Sequence, residues 1–497
     1  MTTKNVFRAA SIALSLGVLP AALATTEPSR VAPLAAATTA PQELRNLDEL
    51  RAEILQKAIE LAERADKIKA DVERDQIYRC VLEYDSDNSD ARKALGYSKS
   101  KGQWVYKKYK EPKNRVSEED LAAFEAERRK AAEDLEYKLD ECFPQSDMQP
   151  RHVEALRKEL EKLVLMDPAN ELLEERAGRA WDEQREEWRM KEVVAAKLRR
   201  AAVRGFFKES DAALPTGTRT ETDVGGEATG IPWSVVLEVP RVLVSSTGEP
   251  QEAQRLLEIV HQAGDFLPWA FGVEDPWTQV KIRVYDMADD SLRLQFYSKH
   301  PEFKGDAAQT AQAGSSSFGR GCIGVASNDP KGRYDMTATQ RVGLFFDNVF
   351  HCDLDKGWVR AGLGLYLSHH LCGTRLSLWI QRDEYGQGDG PKLGERLKDP
   401  QTDWLEEARI VLRQTSPEMN LVALVGKPAK NFSAEDLVVA HAFGAYLFES
   451  RPDDLVEILK RLGKGETPVV VLESELGMTM AGLRERLYDW LAEMRKG

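Results

Sequence analysis

The segment Val280-Lys281-Ile282-Arg283-Val284-Tyr285 is rich in β-branched residues and alternates apolar with charged side chains, which is typical of a β-strand. Apolar periodicity predicts further elements around it: a strand at 234–239 or 234–245, helices at 251–271 and 291–299, and a strand at 322–326 closed by a turn at 329–332. A Gly- and Ser-rich loop precedes that last strand, and helices dominate from Thr337 onward. The pattern predicts a mostly helical α+β domain with a small mixed sheet at 233–497.

The region upstream of this domain is strongly helical from 43 to 207. Its first helix shows apolar residues at steps of three and four, namely Leu47, Leu50, Ile54, Ala58, Leu61, Ala65 and Ile68. Two segments, 84–88 and 166–170, resemble turns between tetratricopeptide helices, but they lie 82 residues apart, which is no multiple of that 34-residue repeat. We expect a repeat-like module or a plain helical bundle. Pro, Gly and Thr without apolar periodicity then predict a linker at 208–232.

The N-terminus has the composition of an export signal. Lys4 and Arg8 precede an apolar run that ends in Ala22-Leu23-Ala24. The run is shorter than the ~20 apolar residues of a membrane-spanning helix and contains Pro20, which disfavours a retained anchor. We expect a signal peptide at 1–24, a flexible linker at 25–42, and a periplasmic or secreted mature protein without a transmembrane segment.

The overall composition is that of a globular protein, with 42% hydrophobic and 30% charged residues. The formal net charge of -13 provides no basic face, and no cluster of Lys and Arg is interleaved with aromatic residues, so nucleic-acid binding is disfavoured. The five cysteines lie too far apart to indicate a dense disulfide framework, and we expect buried free thiols.

The second domain resembles the gluzincin zinc metallopeptidases, including the peptidase-MA-like families of exported bacterial proteins. The resemblance covers roughly 233–494 and rests on the order of its elements. The segments that carry it are the strand 280–285, the helix Trp358-Val359-Arg360-Ala361-Gly362-Leu363-Gly364-Leu365-Tyr366-Leu367, which is similar to the W-L-x-E-G-L-A-E-Y pattern, and the closing helices at 441–447, 455–462 and 472–477.

The resemblance assigns the positions of the H-E-x-x-H zinc motif to 346–350. Phe346 and Phe350 then occupy the two histidine positions, Asp347 occupies the general-base position, and Ala361 occupies the third-ligand position. Phenylalanine and alanine have no donor atom for zinc, so the resemblance implies a degenerate site without a metal or other cofactor. We expect a non-catalytic protein that binds a protein or peptide in an apolar cleft lined by Phe346 and Phe350. The alternative is a zinc-dependent or other hydrolase with an atypical active site.

Several other residues are candidates for sites. A rearranged metal site could draw on His351, Cys352, His369, His370 and Cys372, whose residue types suit zinc. His441 lies among apolar residues of a predicted helix and is expected to be a hydrogen-bonded core histidine. The strand Cys322-Ile323-Gly324-Val325 corresponds to the edge strand that binds extended peptides in the relatives, so it is a candidate peptide-binding strand.

Overall fold

The computed structural model describes residues 42–143, 149–276, 280–377, 392–414 and 421–496. Helices dominate and one small mixed sheet accompanies them, so the predicted mostly helical α+β class is confirmed. The predicted signal peptide and, apart from Gln42, the predicted linker 25–42 lie outside the described residues. Of the helices in the described ranges, none combines the length and apolar character needed to cross a bilayer.

The N-terminal module consists of helices and two β-hairpins around their own apolar core. Its elements are α1 (Gln42–Ile68), α2 (Asp71–Tyr84), α3 (Ser89–Ala94), β1 (Tyr97–Ser100), β2 (Gln103–Tyr106), α4 (Glu118–Cys142), α5 (Pro150–Val164), α6 (Glu171–Arg176), β3 (Arg179–Asp182) and β4 (Glu187–Met190). The apolar stripe predicted on α1 is buried from Leu47 to Ala65. Residues between Leu47 and Ala177 form the core of this module.

Each of the two segments predicted as turns, 84–88 and 166–170, lies between a long helix and a short helix. In each case a long helix (α2 or α5) is followed by a short helix (α3 or α6) and a hairpin. Asn88 and Asn170 cap the short helices, and each side chain accepts a hydrogen bond from the backbone N–H three residues on. An aromatic pair joins the strands of each hairpin, Tyr97 with Tyr106 and Trp181 with Trp188. The order long helix, turn, short helix and hairpin therefore occurs twice in the module.

The mixed sheet belongs to the second part of the chain. Its strands are β5 (Thr218–Arg219), β6 (Val235–Val239), β7 (Val242–Ser246), β8 (Ile282–Met287), β9 (Ser315–Phe318) and β10 (Cys322–Ala326), in the order β5-β6-β7-β8-β10-β9. β8 pairs in parallel with β7 and β10, and the other pairings are antiparallel. The alternative of one strand at 234–245 is wrong because β6 and β7 form a hairpin. β5 lies inside the segment predicted as a linker and extends the sheet.

The assignment of Cys322, Ile323, Gly324 and Val325 to an edge strand is wrong. β10, which contains all four residues, is hydrogen-bonded to β8 on one side and to β9 on the other. The reason is the Ser-rich segment before it, which folds back as β9 through a turn with Gly319 and Gly321 at positive φ. β9 is therefore the edge strand at this end of the sheet.

The remaining elements are helices packed on the sheet and on one another. They are α7 (Lys191–Asp211), α8 (Val224–Ala228), α9 (Pro250–Phe271), α10 (Leu292–Lys299), α11 (Ala307–Ala313), α12 (Pro330–Phe345), α13 (Gly364–Cys372), α14 (Leu393–Lys398), α15 (Trp404–Gln414), α16 (Leu421–Val425), α17 (Ala434–Ser450), α18 (Pro452–Gly463), α19 (Pro468–Leu476) and α20 (Met480–Arg495). Two π-helical segments, Phe346–Phe350 and Trp358–Leu363, follow α12 and precede α13. Asp329, predicted in a turn, caps α12 by accepting hydrogen bonds from the N–H groups of Lys331 and Gly332. Every residue of α17 except Glu435 is buried.

The helix α7, predicted to belong to the N-terminal region, contributes to the core of the second part. Val193, Ala196 and Val203 are buried in that core, and α7 packs against α17. The two apolar cores therefore separate between Ala177 and Val193 instead of at 208–232. At this junction buried Arg486 donates to both carboxylate oxygens of Glu192, at 3.1 and 2.6 Å.

Candidate functional site

A cleft of about 570 Å³ lies between β9, the helix α12 and the two π-helical segments. Ser315, Ser316 and Ser317 of β9 line one wall. Asp347 and Ala361, two of the positions that the resemblance singled out, lie on the opposite side. The cleft thus places the edge strand opposite the ends of the two consecutive helices.

The strand β9, which lines the cleft, has one backbone edge that is not paired in the sheet. The Ala326 N–H donates to the Gly314 carbonyl at 2.9 Å, so residues 314 and 326 form a hydrogen-bonded pair. Because such pairs alternate along an antiparallel ladder, Ser316 also pairs with β10, whereas the N–H and C=O groups of Ser315 and Ser317 point away from it. In the described sheet this outer side of β9 has no strand partner.

Arg360 and Asp347 form an ion pair on the side of the cleft opposite β9. Arg360 Nη1 donates to Asp347 Oδ1 at 3.1 Å and also to the carbonyl oxygen of Gly343. The guanidinium lies directly over Gly343, where any side chain would collide with it. Burial lowers the pKa of Arg360 and raises the pKa of Asp347, and the attraction between the two charges opposes both shifts. Through its bonds to Gly343 and Asp347, the Arg360 guanidinium links the two helices on which the resemblance places the zinc ligands.

The rings of Phe346 and Phe350 do not line the cleft. Both are buried, with exposed fractions of 0% and 2%, and their centroids lie 5.9 and 5.7 Å from that of Phe271. The π-helical segment explains this placement. Its wider turn, closed by a hydrogen bond from the His351 N–H to the Phe346 carbonyl, directs both rings into the core while Asp347 stays at the cleft. The expectation that these rings line the cleft is corrected, and most of the residues that do line it are polar or charged.

Carboxylates outnumber cations in the lining of the cleft. Asp347, Asp353 and Asp355 contribute negative charges, and Arg360 contributes the positive charge. Asp353 and Asp355 are exposed, so solvent screens them more than it screens the Arg360–Asp347 pair. The side of the cleft opposite β9 is acidic.

The residues of the rearranged metal site lie in separate groups. His351 and Cys352 follow the first π-helical segment, and the Cys352 thiol donates to the carbonyl oxygens of Phe350 and Leu459. His369, His370 and Cys372 lie at the end of α13. Within the described ranges no group of three or more His, Cys, Asp or Glu side chains is arranged to hold a metal.

The two thiols of this set are buried. Burial raises the pKa of Cys352 to about 12 and that of Cys372 to about 11, so both thiols are protonated at neutral pH in the metal-free protein. Neither these residues nor Phe346, Phe350 and Ala361 fit zinc in this arrangement.

His441 differs from the expected hydrogen-bonded core histidine. It is buried on α17 between the rings of Trp404 and Tyr366, at centroid distances of 4.9 and 5.4 Å. Neither ring nitrogen has a hydrogen-bond partner among the described residues. A second cavity of about 260 Å³ adjoins this ring, and His369 and His370 also line it.

Comparison of the chain with protein-family models, with curated proteins and with solved structures gives no match. The geometry of the cleft and of the second cavity is therefore the basis on which a function can be argued.

Proposed function

We propose that this chain is an exported, non-catalytic binding protein, built on a scaffold that resembles the gluzincin metallopeptidases, and that it holds an extended basic peptide segment of a partner protein in the cleft beside β9. The observation that carries the proposal is the outer edge of β9, which forms a wall of a cleft large enough for a few peptide residues. The order of strands and of the two helices after β10 supports the scaffold, and the sequence at 1–24 supports export.

An added strand is the occupant that best fits this wall. Ser315 and Ser317 direct backbone donors and acceptors outward, and an extended peptide supplies complementary groups at the same spacing. Their small side chains leave room for a peptide backbone to approach. The main-chain bonds supply affinity, and side chains of alternate peptide residues reach the opposite wall.

The charge of the opposite wall favours a basic segment. A peptide added to β9 would face Asp347, Asp353 and Asp355, and the single cation Arg360 is already paired. Lys or Arg side chains at alternate positions would pair with these carboxylates. Because the carboxylates are partly exposed, the pairs contribute mainly to selectivity and to the rate of association.

Two features oppose hydrolysis in this cleft. The ligand positions carry Phe346, Phe350 and Ala361, which lack metal donor atoms. Asp347, at the general-base position, has one carboxylate oxygen bonded to the Arg360 guanidinium, and this pairing offsets part of the rise that burial causes in its pKa. The hydrolase alternative predicts instead that added zinc stimulates peptide cleavage.

The test is selection of a randomised heptapeptide library on the mature protein, with two variants of one residue. Ser317→Pro removes an N–H that points away from β10, so the fold should survive while strand addition fails. Ser317→Ala removes only the hydroxyl and should bind like the wild type. We expect enrichment of Lys- and Arg-containing peptides by wild type and Ser317→Ala, and at least about tenfold weaker binding by Ser317→Pro. Equal binding by all three proteins, or zinc-stimulated cleavage of the selected peptides, would contradict the proposal.

A further inference from the structure

We propose that the second cavity, about 260 Å³ between α7, α13, α15 and α17, is a binding site for a small organic anion that carries a carboxylate or phosphate group. It shares no lining residue with the cleft beside β9, so this proposal does not depend on the proposed function. The residues that carry the argument are Arg204, His369, His370, Arg375, Trp404 and His441.

The cavity has an excess of positive charge after its internal ion pairs are counted. Arg200 donates to Glu449 at 2.7 Å, and Tyr366 donates to the same carboxylate. Asp403, the other carboxylate in the lining, accepts hydrogen bonds from two backbone N–H groups at the start of α15. Arg204 and Arg375 remain without a carboxylate within salt-bridge distance in the described part of the chain.

Arg375 is held in position by its neighbours. Its guanidinium lies 4.9 Å from the centroid of the Trp404 ring and donates to the Thr402 carbonyl at 3.3 Å. Neither contact neutralises its charge. A guanidinium presents several N–H donors in a planar fork, so the unused donors can bind an oxyanion.

The histidines supply an independent indication of a ligand. His441 is 1% exposed and lines the cavity, and neither of its ring nitrogens is hydrogen-bonded. Nε2 of His370 is likewise buried and without a partner among the described residues. Buried polar groups are nearly always paired, so unpaired nitrogens that line the same cavity indicate a polar ligand.

The protonation of these rings determines what they can contribute. Burial lowers the pKa of His370 to about 4 and lowers the pKa of His369 and His441 as well. At neutral pH each ring is therefore neutral and offers one N–H donor, while the two arginines provide the charge. Two guanidinium charges beside imidazole N–H donors favour binding of an oxyanion and disfavour binding of a cation.

The size and the walls of the cavity define the class of anion. About 260 Å³ is slightly smaller than a typical drug-sized pocket, so the ligand is a small molecule. Trp404, Leu405 and Val203 form apolar wall area beside the polar groups. A short organic acid or phosphate ester would place its oxyanion at the arginines and its carbon skeleton against these walls.

The test is isothermal titration of the full mature protein with inorganic phosphate and, separately, with succinate, at constant ionic strength maintained with chloride. We expect saturable binding of at least one anion, with one site per chain, and the stronger ligand identifies the oxyanion. Two variants, Arg204→Gln and Arg375→Gln, should each weaken anion binding about tenfold or more. Arg204 is exposed, so its substitution should not affect folding. Lys208→Gln removes a charge from the same helix outside the cavity and should bind like the wild type.

His441→Leu tests whether the unpaired imidazole of His441 takes part in anion binding. It should abolish anion binding and raise the midpoint of thermal unfolding in anion-free buffer, because it removes two unpaired ring nitrogens. Absence of saturable binding by wild type would overturn the proposal, whatever the stability of His441→Leu. Unchanged binding by Arg204→Gln, or an equal loss in Lys208→Gln, would also overturn it, because the anion would then lie elsewhere.

Discussion

The ion pair at the side of the cleft predicts unequal costs for removing its two partners. The Arg360 side chain is 10% exposed and that of Asp347 is 38% exposed. In Arg360→Met the Asp347 carboxylate can regain water. The loss is then limited to the hydrogen bonds to Asp347 and to the Gly343 carbonyl, about 1–3 kcal/mol of unfolding free energy.

Asp347→Asn should destabilise the protein more than Arg360→Met, because it leaves a guanidinium that is almost fully buried beside a neutral amide. Removing one partner of a fully buried pair costs about 3–5 kcal/mol. Because Asp347 is partly exposed, water can reach the guanidinium from that side, and we expect about 2–4 kcal/mol. The double variant should cost less than the sum of the single variants, with a coupling of about 1–2 kcal/mol.

Urea unfolding followed by far-ultraviolet circular dichroism measures these free energies. The Arg241–Asp265 pair, with side chains 31% and 45% exposed, is a matched control. Arg241→Met should cost less than about 1 kcal/mol. If Arg360→Met costs more than Asp347→Asn, or if the two substitutions are additive, the reasoning from unequal burial is refuted.

Three further predictions concern the core, the boundary and pH. The zinc motif is restored by Phe346→His, Asp347→Glu, Phe350→His and Ala361→Glu. This variant should lose about 3–6 kcal/mol of unfolding free energy, because two imidazoles replace packed rings. Zinc should not recover the loss, and a rise in thermal midpoint on adding zinc would show that side chains at 346 and 350 can face the cleft. A fragment 191–497 should fold and a fragment 215–497 should not, because only the first retains α7; a cooperative thermal transition in the shorter fragment would contradict this. Burial lowers the pKa of His370 to about 4, below the unfolded value of about 6.5. The contribution of neutral His370 to stability is therefore present above pH ~6.5 and is lost as the pH falls toward 4, by about 3 kcal/mol at most. His370→Gln should lessen the fall in thermal midpoint over that pH range.

The order of elements could be predicted from the sequence because it depends on local periodicity. The strand at 322–326 and the helix ending at Phe271 agree with the observed β10 and α9. The edge of the sheet could not be predicted in the same way. β9 is a short serine-rich segment without an apolar pattern, and its pairing is a tertiary contact.

The candidate site was predicted in part. Asp347 and Ala361 line the cleft, but the direction of Phe346 and Phe350 depends on a π-helical turn that periodicity of 3.6 residues cannot show. Arg360 was missed although a signal was available, since it is the one charged residue in the apolar segment 358–367. The second cavity joins α7 to residues more than 150 positions later, and no local pattern indicates such a contact.

The residues on which the proposed resemblance rests are packing residues, so the arrangement of these helices does not depend on a metal site. Gly362 lies against α17, where an added Cβ would be 2.5 Å from the Ala440 carbonyl oxygen. On the facing helix, a Cβ at Gly444 would lie 2.7 Å from the Cα of Leu363. These close approaches fix the π-helical segment Trp358–Leu363 against α17, independently of the side chains that face the cleft. The positions at the cleft carry no such constraint, so an arginine–aspartate pair can occupy the space between the helices while the fold is kept.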